Sequence, residues 1–358
     1  MKNLRLKSIL INMEKNRLEQ MIVTSPASIF YLTGKWIEPG ERMLALYINT
    51  KGKIKLFINA LFPISEDLGI ELEVYKDGED PVALLSAYIE NKSLGIDKNW
   101  PSHFLIRLMD CNKELTFING SKIIDEVRMI KDDEEISLMR EASKVNDKVM
   151  KEVIKIINEN NDEKTICKLL ADLYEKEGTY SFSFHPLIAY GANAAEPHHD
   201  SDSTKLKSGD SVIIDIGGLT NRYCSDMTRT VFYKTVSEEQ KNIYELVLKA
   251  NLKAIEAVKP GVKFSEVDKA ARDVIEAGGY GQYFTHRTGH NIGIEVHEFP
   301  DVSAANDNMV LQKGMIFSIE PGIYLPGNSG VRIEDLVVVT EDGCEVLNSH
   351  SKDLMVIN

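Results

Sequence analysis

Val212-Ile213-Ile214-Asp215-Ile216-Gly217 carries an acid in an apolar run. Eleven residues beyond Asp215 a second acid, Asp226, stands in Tyr223-Cys224-Ser225-Asp226-Met227-Thr228. The layout returns in Ile316-Phe317-Ser318-Ile319-Glu320-Pro321-Gly322, with Glu334 fourteen residues beyond Glu320 in Val331-Arg332-Ile333-Glu334-Asp335-Leu336. Each copy reads as an acid closing an apolar strand, a Gly-containing connection, and a second acid inside the return strand. Two adjacent antiparallel strands bring such a pair onto one face, because side chains alternate with period two.

An acid in an apolar strand is costly to bury without a partner. Four in matched positions point to a shared cation, because no comparable cluster of Lys or Arg lies nearby in the sequence. Four carboxylates balance two divalent ions, and carboxylates that bridge suit a two-metal centre. His290, in the Gly-flanked bend Thr288-Gly289-His290-Asn291-Ile292-Gly293, adds an imidazole. One imidazole among four carboxylates is an oxygen-rich, mostly hard set, which favours Mn²⁺, with Co²⁺ or Zn²⁺ also accommodated. Taken singly, each acid reads as a strand-end or surface carboxylate; the matched pairs make the case.

Six of the eight histidines fall between 185 and 297. His198, in Asn193-Ala194-Ala195-Glu196-Pro197-His198-His199, and His297 are candidates for hydrogen bonding or proton transfer beside the metals. His286 and His199 read equally well as structural or surface residues. Arg332, two residues before Glu334, is expected on the same side of its strand, orienting an acid or meeting substrate.

Further out, the chain divides. At 358 residues it exceeds what one compact core holds, so two domains are expected. The first third alternates helix and strand patterns: a helix from Leu4 to about Met21, then MIVTS, a helix over Pro26–Thr33, ALYIN and KIKLFIN around a turn, ELEVY, SLGID and LTFING. This reads as a small α/β domain, residues 1–124. From Asp125 to Asn160 apolar residues recur every three or four positions (Met139, Ala142, Val145, Val149, Val153, Ile156), the mark of a long amphipathic helix. It opens an α+β domain over 125–358, with further helices at about 163–177, 238–258 and 265–277.

Composition narrows the class. A net charge of −13 argues against nucleic-acid binding, which needs a basic surface. No apolar run is long enough to cross a bilayer, so no membrane partner is expected. The start MKNLRLKSIL lacks a signal-peptide layout. Four scattered cysteines without a CxxC suit a reducing compartment, so a cytoplasmic location is expected.

The stretches GANAAEPHH (191–199), DSVIIDIGG (210–218), YCSDMTRTVF (223–232), FTHRTGHNIGIEVHEFP (284–300), GMIFSIEPGIY (314–324) and GVRIEDLVVVTEDG (330–343) resemble the pita-bread metallopeptidases. That family includes Xaa-Pro dipeptidase (prolidase), aminopeptidase P and methionine aminopeptidase. The resemblance implies a pita-bread catalytic domain with a pseudo-twofold repeat behind a creatinase-like N-terminal domain, and a homodimer. It puts the metal ligands on Asp215, Asp226, His290, Glu320 and Glu334. Substrate binding falls on His198, His286, His297 and Arg332, with His198, His297 and Glu320 in catalysis. The N-terminal domain points to the proline-specific branch and to short proline-containing peptides. Asp301 departs from the pattern: some prolidases carry there an Arg that meets the substrate carboxylate. Aminopeptidase P activity on longer Xaa-Pro-Yaa peptides therefore stays open. So do, further off, a creatinase-type hydrolase and a non-catalytic binding protein.

Overall fold

A computed structural model describes residues 2–358 as two compact units, the first ending at Arg128 and the second running Met129–Asn358. Among the described residues no helix is long and apolar enough to cross a membrane.

The first unit is a mixed six-stranded sheet flanked by helices. Its strands are β1 (Gln20–Val23), β2 (Ala45–Asn49), β3 (Ile54–Asn59), β4 (Glu71–Tyr75), β5 (Ser93–Ile96) and β6 (Thr116–Asn119), in the order β4-β3-β2-β1-β5-β6. The first helix, Asn3–Lys15, is shorter than its apolar pattern predicts. Arg17 takes a positive φ of 55°, which ends the helix, and Gln20 onward pairs as β1. The helix Ser121–Arg128 belongs to this unit, because Asn12 of the first helix donates to the carbonyl of Ile123.

The predicted 125–160 helix is two helices. The second, Asp133–Ile156, begins where Asp132 accepts from the Glu135 N–H while Glu135 reaches back to the Asp132 N–H. Together with Glu163–Lys176 it packs on a four-stranded sheet ordered Val356–Ile357, Met227–Tyr233, Ser211–Ile216, Leu187–Tyr190. A second helix pair, Glu238–Ala257 and Phe264–Ala277, packs on a five-stranded sheet ordered Glu298–Val302, Gly289–Asn291, Ile316–Ile319, Asp335–Val339, Cys344–Val346. Two helices on a largely antiparallel sheet, twice over, is the repeat announced by the paired acids.

The halves are joined by charge as well as by packing. Arg229 is fully buried; it donates to Asp335 at 2.8 Å and to the carbonyl oxygens of Glu334, Thr228, His350 and Ser351. Lys352 meets the other oxygen of Asp335 at 2.7 Å. This network ties a strand of the first sheet, a strand of the second and the C-terminal segment together. Arg229→Met should leave Asp335 buried without its main cation and cost about 3–5 kcal/mol, read as a lowered urea midpoint.

Candidate metal centre

The acids lie where the two sheets present their inner strand ends. Ser211–Ile216 runs antiparallel to Met227–Tyr233, with Asp215 opposite Thr228. Asp226 therefore sits just ahead of the return strand, diagonal to Asp215. In the second copy Ile319 is opposite Asp335, so Glu320 and Glu334 follow and precede their paired strands, directly across from each other. The second acid of each pair thus stands at the mouth of the return strand rather than inside it. Two glycines let the backbones come this close: a Cβ on Gly217 would lie 2.2 Å from the Ser225 carbonyl oxygen, and one on Gly289 1.8 Å from that of Ser318.

All five expected ligands line one cavity of about 650 Å³, together with His198, His286, His297 and Arg332. His290 is held at both backbone and ring: its main-chain N–H donates to Ser318 Oγ, and its ring Nδ1 lies 3.2 Å from the Asn291 carbonyl oxygen. That leaves Nε2 facing Asp226 at 3.7 Å and Glu320 at 3.5 Å. Donor atoms of Asp226, His290 and Glu334 all lie within 4.8 Å of one another. Two donors each about 2.1 Å from one ion at a tetrahedral angle stand about 3.4 Å apart, so the spacing suits a shared cation. Asp215 completes the fit: Oδ2 accepts from Arg332 at 2.7 Å, while the buried Oδ1 has no protein partner.

The electrostatics agree. Burial, then the neighbouring Glu334 and Asp215 carboxylates, raises Asp226 well above the usual carboxylate range. Burial followed by Glu320 does the same to Glu334, and burial brings Glu320 to about 7. Burial lowers His290 to about 3, keeping it neutral and able to ligate. His286 is also lowered to about 3 by burial and by Arg332.

Arg332 and Glu334 do not share a strand, as their spacing suggested they would: Arg332 ends one strand and Glu334 precedes another. Arg332 points from the hairpin strand Ser329–Arg332 to Asp215, and also donates to Tyr324 Oη at 2.9 Å and Thr228 Oγ1 at 3.1 Å. Thr228 in turn donates to Glu334 at 2.7 Å. His286 lines the cavity, but both ring nitrogens have protein partners, Nδ1 at the Arg287 carbonyl oxygen and Nε2 at Tyr324 Oη. His198 and His297 are exposed to the cavity, and the His297 ring meets that of His290 edge-on at 4.4 Å. Sequence reasoning missed Tyr324, Thr228 and Arg287. Tyr324 has a local signal, four residues after Glu320 in EPGIY; the other two have none beyond lying within the quoted stretches.

Residues 137–341 match metallopeptidase family M24, and residues 5–130 match the creatinase/prolidase N-terminal domain. The chain belongs to metallopeptidase family M24. Its two-sheet unit is accordingly a pita-bread domain. Among relatives, YkvY of Bacillus subtilis strain 168, which carries a provisional dipeptidase name, is 38% identical over 92% of this chain and 93% of its own. Among solved structures, a prolidase from Thermococcus sibiricus superposes with a TM-score of 0.95 at 33% identity, covering 100% of this chain and 99% of its own. A dipeptidase from Pyrococcus horikoshii gives 0.92 at 35%, covering 99% and 100%. As an M24 metallopeptidase the protein uses divalent metal, and the residues just described fit it.

Raised carboxylates must lose protons to ligate, so metal affinity should climb with pH between 5 and 8. For the metal-free protein the signs oppose. Glu320 holds more protons folded than unfolded between its ordinary 4.5 and about 7, so its contribution to stability falls as pH rises through that window. His286 and His290, lowered from 6.5 to about 3, contribute stability that rises with pH over that range. Metal titration therefore separates what unfolding mixes: calorimetry with Mn²⁺ at pH 6 should release protons to buffer, and release fewer at pH 8.

Proposed function

We propose that the protein is an Xaa-Pro dipeptidase, hydrolysing the bond before proline in short peptides. The carrying observation is the cavity in which five ligand-type side chains converge with His198, His297 and the guanidinium groups of Arg287 and Arg332. The prolidase and dipeptidase neighbours support the choice of substrate. The Xaa-Pro bond is a tertiary amide with no N–H and a restricted chain, which calls for a dedicated site.

Asp215, Asp226, His290, Glu320 and Glu334 would hold two divalent ions, Mn²⁺ being the metal the donor set favours. Bound there, the ions supply Lewis acidity to the scissile carbonyl and lower the pKa of the attacking water. The chain's own residues do the rest. Glu320, held by the Ser318 hydroxyl at 3.1 Å, accepts a proton from the water and returns it to the proline nitrogen. His297 donates to the developing oxyanion, and His198 positions the substrate from the opposite loop. Arg332 orients Asp215 rather than contacting substrate, and His286 buttresses Arg332 through Tyr324.

The absence of an Arg at 301 does not leave the cavity without a cation. Arg287 lines it, a third exposed, and its Nη1 pairs with Asp301 at 2.7 Å. A guanidinium has five donors, so one held by Asp301 still offers others to the free carboxylate of a dipeptide. This favours the dipeptidase over aminopeptidase P. The four free cysteines support a cytoplasmic enzyme, and a homodimer is the expected assembly, testable by light scattering.

The deciding assay compares Xaa-Pro dipeptides with Xaa-Pro-Yaa tripeptides in Mn²⁺. Dipeptides should be cleaved faster, and preference for the tripeptides would make the enzyme an aminopeptidase P. Chelation should abolish turnover, and Glu320→Ala should lower kcat by about 10²–10⁴-fold. Full activity in either case would sink the metallopeptidase mechanism. Arg287→Ala should raise KM for a dipeptide by about ten- to a hundredfold and spare its carboxyl-amidated counterpart.

A further inference from the structure

Glu163 lies outside the lining of the metal cavity but is bonded to His199, which is part of that lining. It stands in the first turn of the helix Glu163–Lys176, and its carboxylate is fully buried. Four N–H groups surround it. Oε1 accepts from the Tyr190 backbone at 2.7 Å and from Asn193 Nδ2 at 3.0 Å. Oε2 accepts from the Asp202 backbone at 2.8 Å and from His199 Nε2 at 2.8 Å. Glu163, His199 and Asp202 are grouped closely enough to suggest a second cation site. Four donors already on the carboxylate argue otherwise, and the Asp202 side chain is itself taken by the Thr204 N–H at 2.6 Å.

All four donors belong to one segment, the end of the strand Leu187–Tyr190 and the loop that follows it to Asp202, and that loop carries His198. Its other side is held by Arg332, whose Nη1 donates to the Pro197 carbonyl oxygen at 3.3 Å. His198 is thus suspended between a contact to the metal-centre network and a buried carboxylate. We propose that Glu163 and His199 form a pin that positions His198, with His199 acting through its neighbour and touching neither metal nor substrate. A buried carboxylate that loses a charge-assisted donor is strongly unfavourable, so the loop adopts the one arrangement that satisfies it. The inference rests on the substrate role given to His198 above.

The test is a double-mutant cycle in the Mn²⁺-loaded enzyme, with crystal structures of the variants. His199→Phe removes the donor and should cut kcat/KM on the preferred Xaa-Pro peptide at least tenfold, with metal content unchanged. His199→Gln, whose amide offers an N–H to the same oxygen, should recover most of that loss. In a His198→Ala background, His199→Phe should cost less than twofold more. A full further tenfold loss there, or unchanged turnover in His199→Phe alone, would overturn the pin. So would a crystal structure of His199→Phe with the loop and His198 unmoved. That structural readout is independent of turnover: a parent enzyme that cleaves no Xaa-Pro peptide sinks the peptidase reading, whereas an unmoved loop sinks the pin.

Discussion

Asp226 and Glu334 are buried carboxylates that face other carboxylates across a small space. Like charges in a low-dielectric setting repel strongly and are poorly hydrated, so the arrangement holds only if protons or cations share it. Much of the catalytic unit can be understood as the apparatus that keeps these acids in place. Two sheets are needed because each supplies one pair. The glycines at 217 and 289 exist because the backbones must approach more closely than any side chain allows.

Two arginines do the supporting work in different ways. Arg229 lies behind the centre, binding Asp335 and the Glu334 carbonyl oxygen, and so fixes where the Glu334 backbone stands. Arg332 lies beside it, ordering Asp215, Thr228 and Tyr324 together. Neither guanidinium neutralises the whole cluster. The unpaired Asp215 Oδ1 is the place where protein hydrogen bonding stops and an ion is called for.

Further polar side chains are layered outward from that centre. His198 and His297 reach the cavity from loops, and each loop is secured by a carboxylate. Glu163 holds the first. Glu298 holds the second: its Oε1 accepts from the Ile294 and Glu295 N–H groups, and its Oε2 from the buried Lys131 at 3.2 Å. Both loops are thereby tied to a buried acid that is satisfied by several donors.

The acid pairs, the helices and the alternation of the first third are local properties, written in residue type and spacing. They sufficed for the two-part organisation, the α+β class and the choice of four acids and a histidine that the fold brings to one cavity. Helix ends were less legible, since the positive φ at Arg17 and the cap at Asp132 outrank an apolar pattern that runs past them. Partnerships across the fold were not legible at all. Arg332 finds Asp215 117 positions away, and Glu163 meets His199 across 36. Spacing along a strand placed Arg332 with Glu334, but a separate hairpin, Gly322–Leu325 with Ser329–Arg332, turns it elsewhere. Residue types thus dictated which chemistry the chain can carry. Strand register and loop anchoring between remote segments decided which atoms face one another, because those distances exist only once the sheets have formed.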